Sequence, residues 1–172
     1  ATALVERFSA AVNEIHDDWI TWLYLARLYD ILAAADSYEH ALAQAKAQEI
    51  IPGETLHWLG VWRLNAGDAP GAVTALSGLL DVRPVRYGSM MYLGEALLRV
   101  GKIAAAEKAF TRASLSPNPD FLLSLSARVY AHNYWQEAIA VLQKAISLRP
   151  SHVPTWLALA KIQSEVYALA DC

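Results

Sequence analysis

The chain is predicted to be all-α, a solenoid of about four helix-turn-helix hairpins with a flanking helix at each end. Three observations lead there. Apolar residues recur at helical spacing, with Leu93, Gly94, Leu97 and Leu98 in one segment and Ala105, Ala106, Ala109, Phe110 and Ala113 in the next. Gly101 and Pro117 stand where the first segment must turn and the second must stop. The pattern then returns at a fixed interval: Leu59-Gly60 precedes Leu93-Gly94 by 34 residues, as Gly67 precedes Gly101 and Ala72 precedes Ala106. A period of that size marks a hairpin that cannot bury its apolar surface alone and stacks on its neighbours.

The elements follow in order. Residues 2–15 read as an amphipathic helix with Leu4, Val5, Phe8, Val12 and Ile15 on one stripe, an N-terminal cap or the second half of a repeat. Asp18 is placed to cap the next helix, in which Trp22, Leu25, Ala26 and Tyr29 fall at regular spacing. Its partner helix is expected to start at an Ser37 N-cap and run to about Ile50, with Ala41 and Ala45 buried. Pro52-Gly53 closes that unit.

The second hairpin is marked by Leu56, Leu59 and Gly60, then Ala72, Leu76 and Leu79, with Gly67-Asp68 as its turn and Pro84 as its end. The third runs from Tyr87 to Pro117. The fourth carries Leu122, Leu125, Ser126 and Val129, then Ala138, Leu142 and Ala145, with Asn133 in the turn and Pro150 at the end. Ala106 to Ala138 is 32 residues, and the two missing residues are assigned to the turn from Ser116 to Pro119. A last helix follows, with Trp156, Leu159 and Ala160 at the repeat spacing. Tyr167 and Leu169 make it apolar for a solvating cap, which favours the first half of a further repeat. Small residues at Ala26, Gly60, Gly94 and Ala160 are expected where two helices cross closely, faced by Ala72, Ala106 and Ala138.

These residues, spaced as W-x2-L-A-x2-Y in Trp22 to Tyr29 and ending each unit in proline, resemble the tetratricopeptide repeat, TPR. Tyr29 to Ala41 is 12 residues, against 9 from tyrosine to alanine in the pattern of the repeat family that the chain resembles, which implies an insertion of about three residues around Ala33 to Asp36. The resemblance implies one TPR array over residues 1–172, a right-handed α-α superhelix. It divides into an N-terminal helix (1–18), repeats at 19–52, 53–86, 87–118 and 119–152, and a C-terminal helix (153–172). It further implies a concave groove lined by the first helices and a role in binding protein.

Composition narrows the function classes. The chain has 172 residues, 55% of them hydrophobic, and a net charge of -3. No basic stripe is visible, which argues against nucleic acid. The one cysteine, Cys172, argues against a disulfide framework and fits a reducing, cytoplasmic compartment. Charged residues interrupt every apolar stretch short of membrane-spanning length, and no signal peptide is visible, although a segment preceding Ala1 is left open. His16, His40, His57, His132 and His152 match no metal spacing, no phosphate loop or nucleophile elbow is present, and no cofactor is expected. The expected protein is not an enzyme.

Counting ligand-facing positions from the start of each repeat, as the resemblance directs, nominates Tyr24, Arg27, His57, Trp58, Val61, Met91, Tyr92, Glu95 and Leu123 as partner-binding. The two-carboxylate clamp that some TPR proteins use for acidic tails would occupy Leu23, Arg27, Trp58, Gly88 and Tyr92, where Arg27 is the one positive charge. The groove is therefore read as aromatic and apolar, suited to a peptide or amphipathic helix. Trp58 and Tyr92 share a repeat position outside the core pattern and are the residues most expected at the surface; some of the other rings could instead be core between repeats. Three functions fit: an adaptor, assembly factor or chaperone; the substrate-docking segment of a larger enzyme such as a glycosyltransferase or sulfotransferase; and a scaffold that self-associates through its C-terminal helix.

Overall fold

The computed structural model describes residues 6–7, 10, 19–32 and 34–170. Glu6, Arg7 and Ala10 of the predicted N-terminal helix are helical; its apolar stripe, Leu4, Val5, Phe8, Val12 and Ile15, lies outside the described residues, as do the Asp18 cap, Cys172 and the side chains of Tyr167 and Leu169. Among the described residues the chain forms helices and no strand. They are α1 (Trp19–Ile31), α2 (Ala35–Gln48), α3 (Glu54–Asn65), α4 (Ala69–Val82), α5 (Tyr87–Arg99), α6 (Ile103–Ala113), α7 (Pro119–Ala131), α8 (Trp135–Leu148) and α9 (Val153–Ala170). They divide between Pro84 and Val85 into two compact units.

In the first unit α1 packs on α2 and α3 on α4, and α3 also meets α1 and α2. In the second, α5 packs on α6 and α7 on α8, α7 also meets α5 and α6, and α9 packs on α8. Each helix pair is thus a hairpin, and within a unit each first helix rests on the hairpin before it.

The local chemistry of the turns explains the breaks. Gly67 (φ 89°) and Gly101 (φ 76°) adopt the left-handed conformation that L-residues with a side chain avoid, and Asn133 (φ 66°) does the same in the fourth hairpin. The Asp68 carboxylate accepts from Gly71 N at 2.9 Å to cap α4, with Pro70 in its first turn. The Asn118 side chain accepts from Asp120 N and Phe121 N to cap α7, whose first residue is Pro119. Glu49 caps α3 from the preceding loop, accepting from Gly53 N at 2.8 Å and Thr55 N at 3.0 Å. The helices before Pro84 and Pro150 stop because Arg83 (ψ 82°) and Arg149 (ψ 83°) are pushed out of the helical region by the following ring.

The hairpins close on small residues. A Cβ on Gly60 would lie 2.4 Å from Leu76 Cγ, and one on Gly94 would lie 2.6 Å from Phe110 Cε1. Ala26 and Ser126 hold the same place in their hairpins and are 1% exposed. Ala72, Ala106 and Ala138 are fully buried on the second helices. Ala160, matched to this position from the sequence, is instead exposed: among the described residues α9 packs on α8 and no second helix crosses it.

Two expectations about spacing are corrected. The first hairpin carries no insertion. From the small residue to the start of the second helix is nine residues in every hairpin: Ala26 to Ala35, Gly60 to Ala69, Gly94 to Ile103, Ser126 to Trp135. The residue in register with Ala72, Ala106 and Ala138 is therefore Tyr38, itself buried, and Ala41 lies almost one turn later. Ser37 does not cap α2; the N-cap is Ala34, without a side-chain bond. The two residues missing between the third and fourth hairpins come out of α6, which has 11 residues against 14 in α2, α4 and α8, while the loop that follows is not shortened.

A Cβ on Gly94 would lie 2.6–2.9 Å from three atoms of the Phe110 ring, so a larger residue there must displace that ring. Gly94→Val is expected to lower stability by about 1–3 kcal/mol in urea unfolding. Adding Phe110→Leu should recover part of that loss. Equal stability of Gly94→Val and the parent chain would refute the crossing as the closest contact of the hairpin.

Candidate functional site

The nominated residues lie on α1, α3, α5 and α7, and the helical register sorts them. Tyr24, Trp58 and Tyr92 share one position. Tyr24 is 55% exposed and Trp58 42%, while Tyr92 is half-buried. One residue earlier, Leu23, His57 and Met91 are all buried, and Leu123 at the same position is half-buried. Three residues after the first set, Val61 and Glu95 are buried and Arg27 is half-buried. A step of one residue rotates a side chain by about 100° around the helix. It thus carries His57 and Met91 from the exposed crest into the packed flank, and Val61, three residues after Trp58, is turned about 60° the other way into the opposite flank. All three are buried.

In the first unit the exposed crest is an aromatic and cationic cluster. The Tyr24 and Trp62 rings are 5.4 Å apart and tilted by 37°. The Arg27 guanidinium sits 5.0 Å from the Trp62 centroid, a cation–π contact that joins α1 to α3. Trp58 meets the His57 ring edge-on at 5.2 Å. Beside them a cavity of about 170 Å³ is lined by Arg27, Asp30, Tyr38, Trp62 and Arg63 among others. Its wall explains the tyrosine at an alanine position: Arg63 Nη2 donates to the Tyr38 hydroxyl at 2.9 Å, and Arg63 stands where the repeat pattern has a tyrosine.

In the second unit the crest is ionic. Glu95 is 7% exposed, and its carboxylate accepts from Arg99 Nη2 at 2.7 Å and from Arg128 Nη1. Arg128 also lies over the Tyr92 ring at 4.6 Å. One arginine of α7 thus ties two side chains of α5. A shallow cavity of about 450 Å³ opens over Glu95, Ser124, Ala127, Arg128 and His132.

Trp62 and Arg128 were not nominated from sequence. Trp62 was legible as the aromatic four residues after Trp58, one turn along the same helix. Arg128 gave no signal until Glu95 was known to be buried and in need of a counter-charge.

Among the described residues no three His, Cys, Asp or Glu side chains gather as metal ligands, and no helix is long and apolar enough to cross a membrane.

No family model matches the chain. It is 31% identical over 113 residues to Superkiller protein 3 of Schizosaccharomyces pombe, an alignment covering 60% of this chain and 8% of that protein. The fold matches the C-terminal part of a TPR repeat-containing protein of Cytophaga hutchinsonii with a TM-score of 0.59 at 14% identity, over 94% of this chain and 64% of that one. It matches MamA with a TM-score of 0.57 at 15% identity, over 87% and 88% of the two chains. It matches YrrB, described as a TPR protein with an unusual peptide-binding site, with a TM-score of 0.53 at 15% identity, over 91% and 84%. The chain therefore spans less than two thirds of the first of these structures and a small part of the yeast protein. Its helices have the TPR fold.

Burial pushes the Tyr38 phenol above its usual pKa of 10.0, Arg63 pulls it back, and Asp30 and Glu39 push it up again. The net shift is upward, so folding favours the neutral phenol. Its contribution is complete below pH 10.0 and is lost as pH rises from there through the raised folded value. Above pH 10 the urea midpoint of the parent chain should fall faster than that of Tyr38→Phe. Parallel curves would contradict this.

Proposed function

We propose that the chain is a protein-interaction module that takes a peptide or amphipathic helix of a partner on the face of its first helices. It serves as an adaptor, assembly factor or chaperone and performs no chemistry itself. The observation that carries the reading is the exposure of Tyr24 and Trp58 at one repeat position. Half-exposed aromatic rings add little to folding, yet they are the side chains that most often anchor an interface. Arg27 over Trp62 adds a charge fixed in place by the cation–π contact, so the surface is organised before a partner arrives. The description of YrrB as peptide-binding is consistent with this use of the fold.

The test pairs binding with stability. Trp58→Ala should change stability by less than about 1 kcal/mol, because the ring is half in water. The Tyr24→Ala, Trp58→Ala double variant should weaken the partner by about 2 kcal/mol or more, the range of a hot spot. In affinity purification from the native host, chains retained by the parent should be absent with the double variant. Equal recovery with both would sink the reading.

A second reading, self-association, rests on α9. Val153 is 63% exposed, Trp156 49% and Leu157 65%, which gives this helix an apolar outer face. Light scattering should then find an oligomer that Leu157→Glu reduces to monomer. A monomer in both chains would eliminate it.

A further inference from the structure

A second cavity of the second unit lies away from the first-helix face, between the second helices α6 and α8. It encloses about 470 Å³ and is lined by Glu107, Phe110 and Thr111 of α6, by Ser114 just past its end and by Glu137, Val141 and Lys144 of α8, with Val129 and Tyr134 between. That volume is within the usual range for a ligand pocket, about 300–1,000 Å³. The early end of α6 at Ala113 gives the gap its chemistry. Ser114 lies just past the last helical residue, and Lys144 Nζ donates to its carbonyl. The ammonium is thus engaged by the negative end of α6 rather than by a carboxylate.

We propose that this gap binds a short basic segment of a partner protein, with an apolar side chain on the floor and a flanking arginine or lysine at the rim. The floor is Phe110, Val129 and Val141, and Phe110 and Val141 are 7% and 8% exposed. Among the described residues neither rim carboxylate, Glu107 or Glu137, is in an ion pair, so two negative charges line the opening while the ammonium in the lining, Lys144, is bonded to a backbone carbonyl. Apolar floor and acidic rim together select an amphipathic cation. The lining covers two turns of each helix, Glu107 to Ser114 and Glu137 to Lys144. At 1.5 Å per residue that is about 10 Å. An extended segment crosses it with about three residues.

The probes are the peptide acetyl-Arg-Phe-Arg-amide and its counterpart acetyl-Glu-Phe-Glu-amide, titrated into the nitrogen-15-labelled full chain. The basic peptide should give saturable shifts at Phe110, Thr111 and Val141, and the acidic one none. The Glu107→Gln, Glu137→Gln double variant keeps the floor and should bind the basic peptide about fivefold more weakly, as expected for two exposed charge pairs. Equal binding of the two peptides, an unchanged affinity in the double variant, or no shifts at millimolar peptide would overturn the proposal. Shifts confined to α5 and α7 would also overturn it, while leaving the first-helix reading intact.

Discussion

The close crossing of the two helices in each hairpin is the constraint on which everything else rests. Gly60 against Leu76 and Gly94 against Phe110 leave no room for a Cβ. A large residue on one side therefore requires a minimal one on the other. Once the crossing is set, the register of both helices is set, and with it which residues are buried between hairpins and which stand on the crest. The exposed aromatics at Tyr24 and Trp58 are a consequence of that register rather than of any local preference.

Two departures from the repeat show how a packed array absorbs change. Tyr38 fills a place that the other hairpins give to alanine, and its hydroxyl is met by Arg63 from the next hairpin. A buried phenol without a partner would be costly, and the arginine removes that cost where the pattern has a tyrosine. The other departure is the loss of a turn from α6. It leaves Ser114 beyond the end of the helix, where Lys144 bonds it, at the edge of the cavity between α6 and α8. Neither change disturbs the nine-residue interval that positions the second helix, so both are tolerated by the fold.

The two crests differ in how they are held. That of the first unit is aromatic, with Arg27 lying on Trp62. That of the second is a buried carboxylate gripped by two arginines, one of which also covers Tyr92. Removing either partner of a desolvated charge costs more than the pair contributes, so Glu95 serves the packing of α5 on α7 before it serves any ligand.

The sequence by itself determined the helix hairpins, their turns and the small residues at the crossings. Each of these depends on short-range properties: the 3.6-residue period, the freedom of Gly67 and Gly101 at positive φ, and the effect of Pro84 and Pro150 on the residue before them. It also placed Trp58 at the surface, because it stands outside the apolar pattern, but Tyr92, expected there with it, is half-buried beneath Arg128. That Tyr38 and not Ala41 holds the crossing position was already legible in the period, since Ala26 precedes Gly60 by 34 residues and Tyr38 precedes Ala72 by 34, which leaves no room for an insertion. Tertiary structure alone decided that His57, Val61 and Met91 are buried, since the exposure of positions flanking the crest depends on which neighbour packs there. The Glu95–Arg128 pair was beyond sequence for the same reason: residues 33 apart become partners only when α5 and α7 lie side by side.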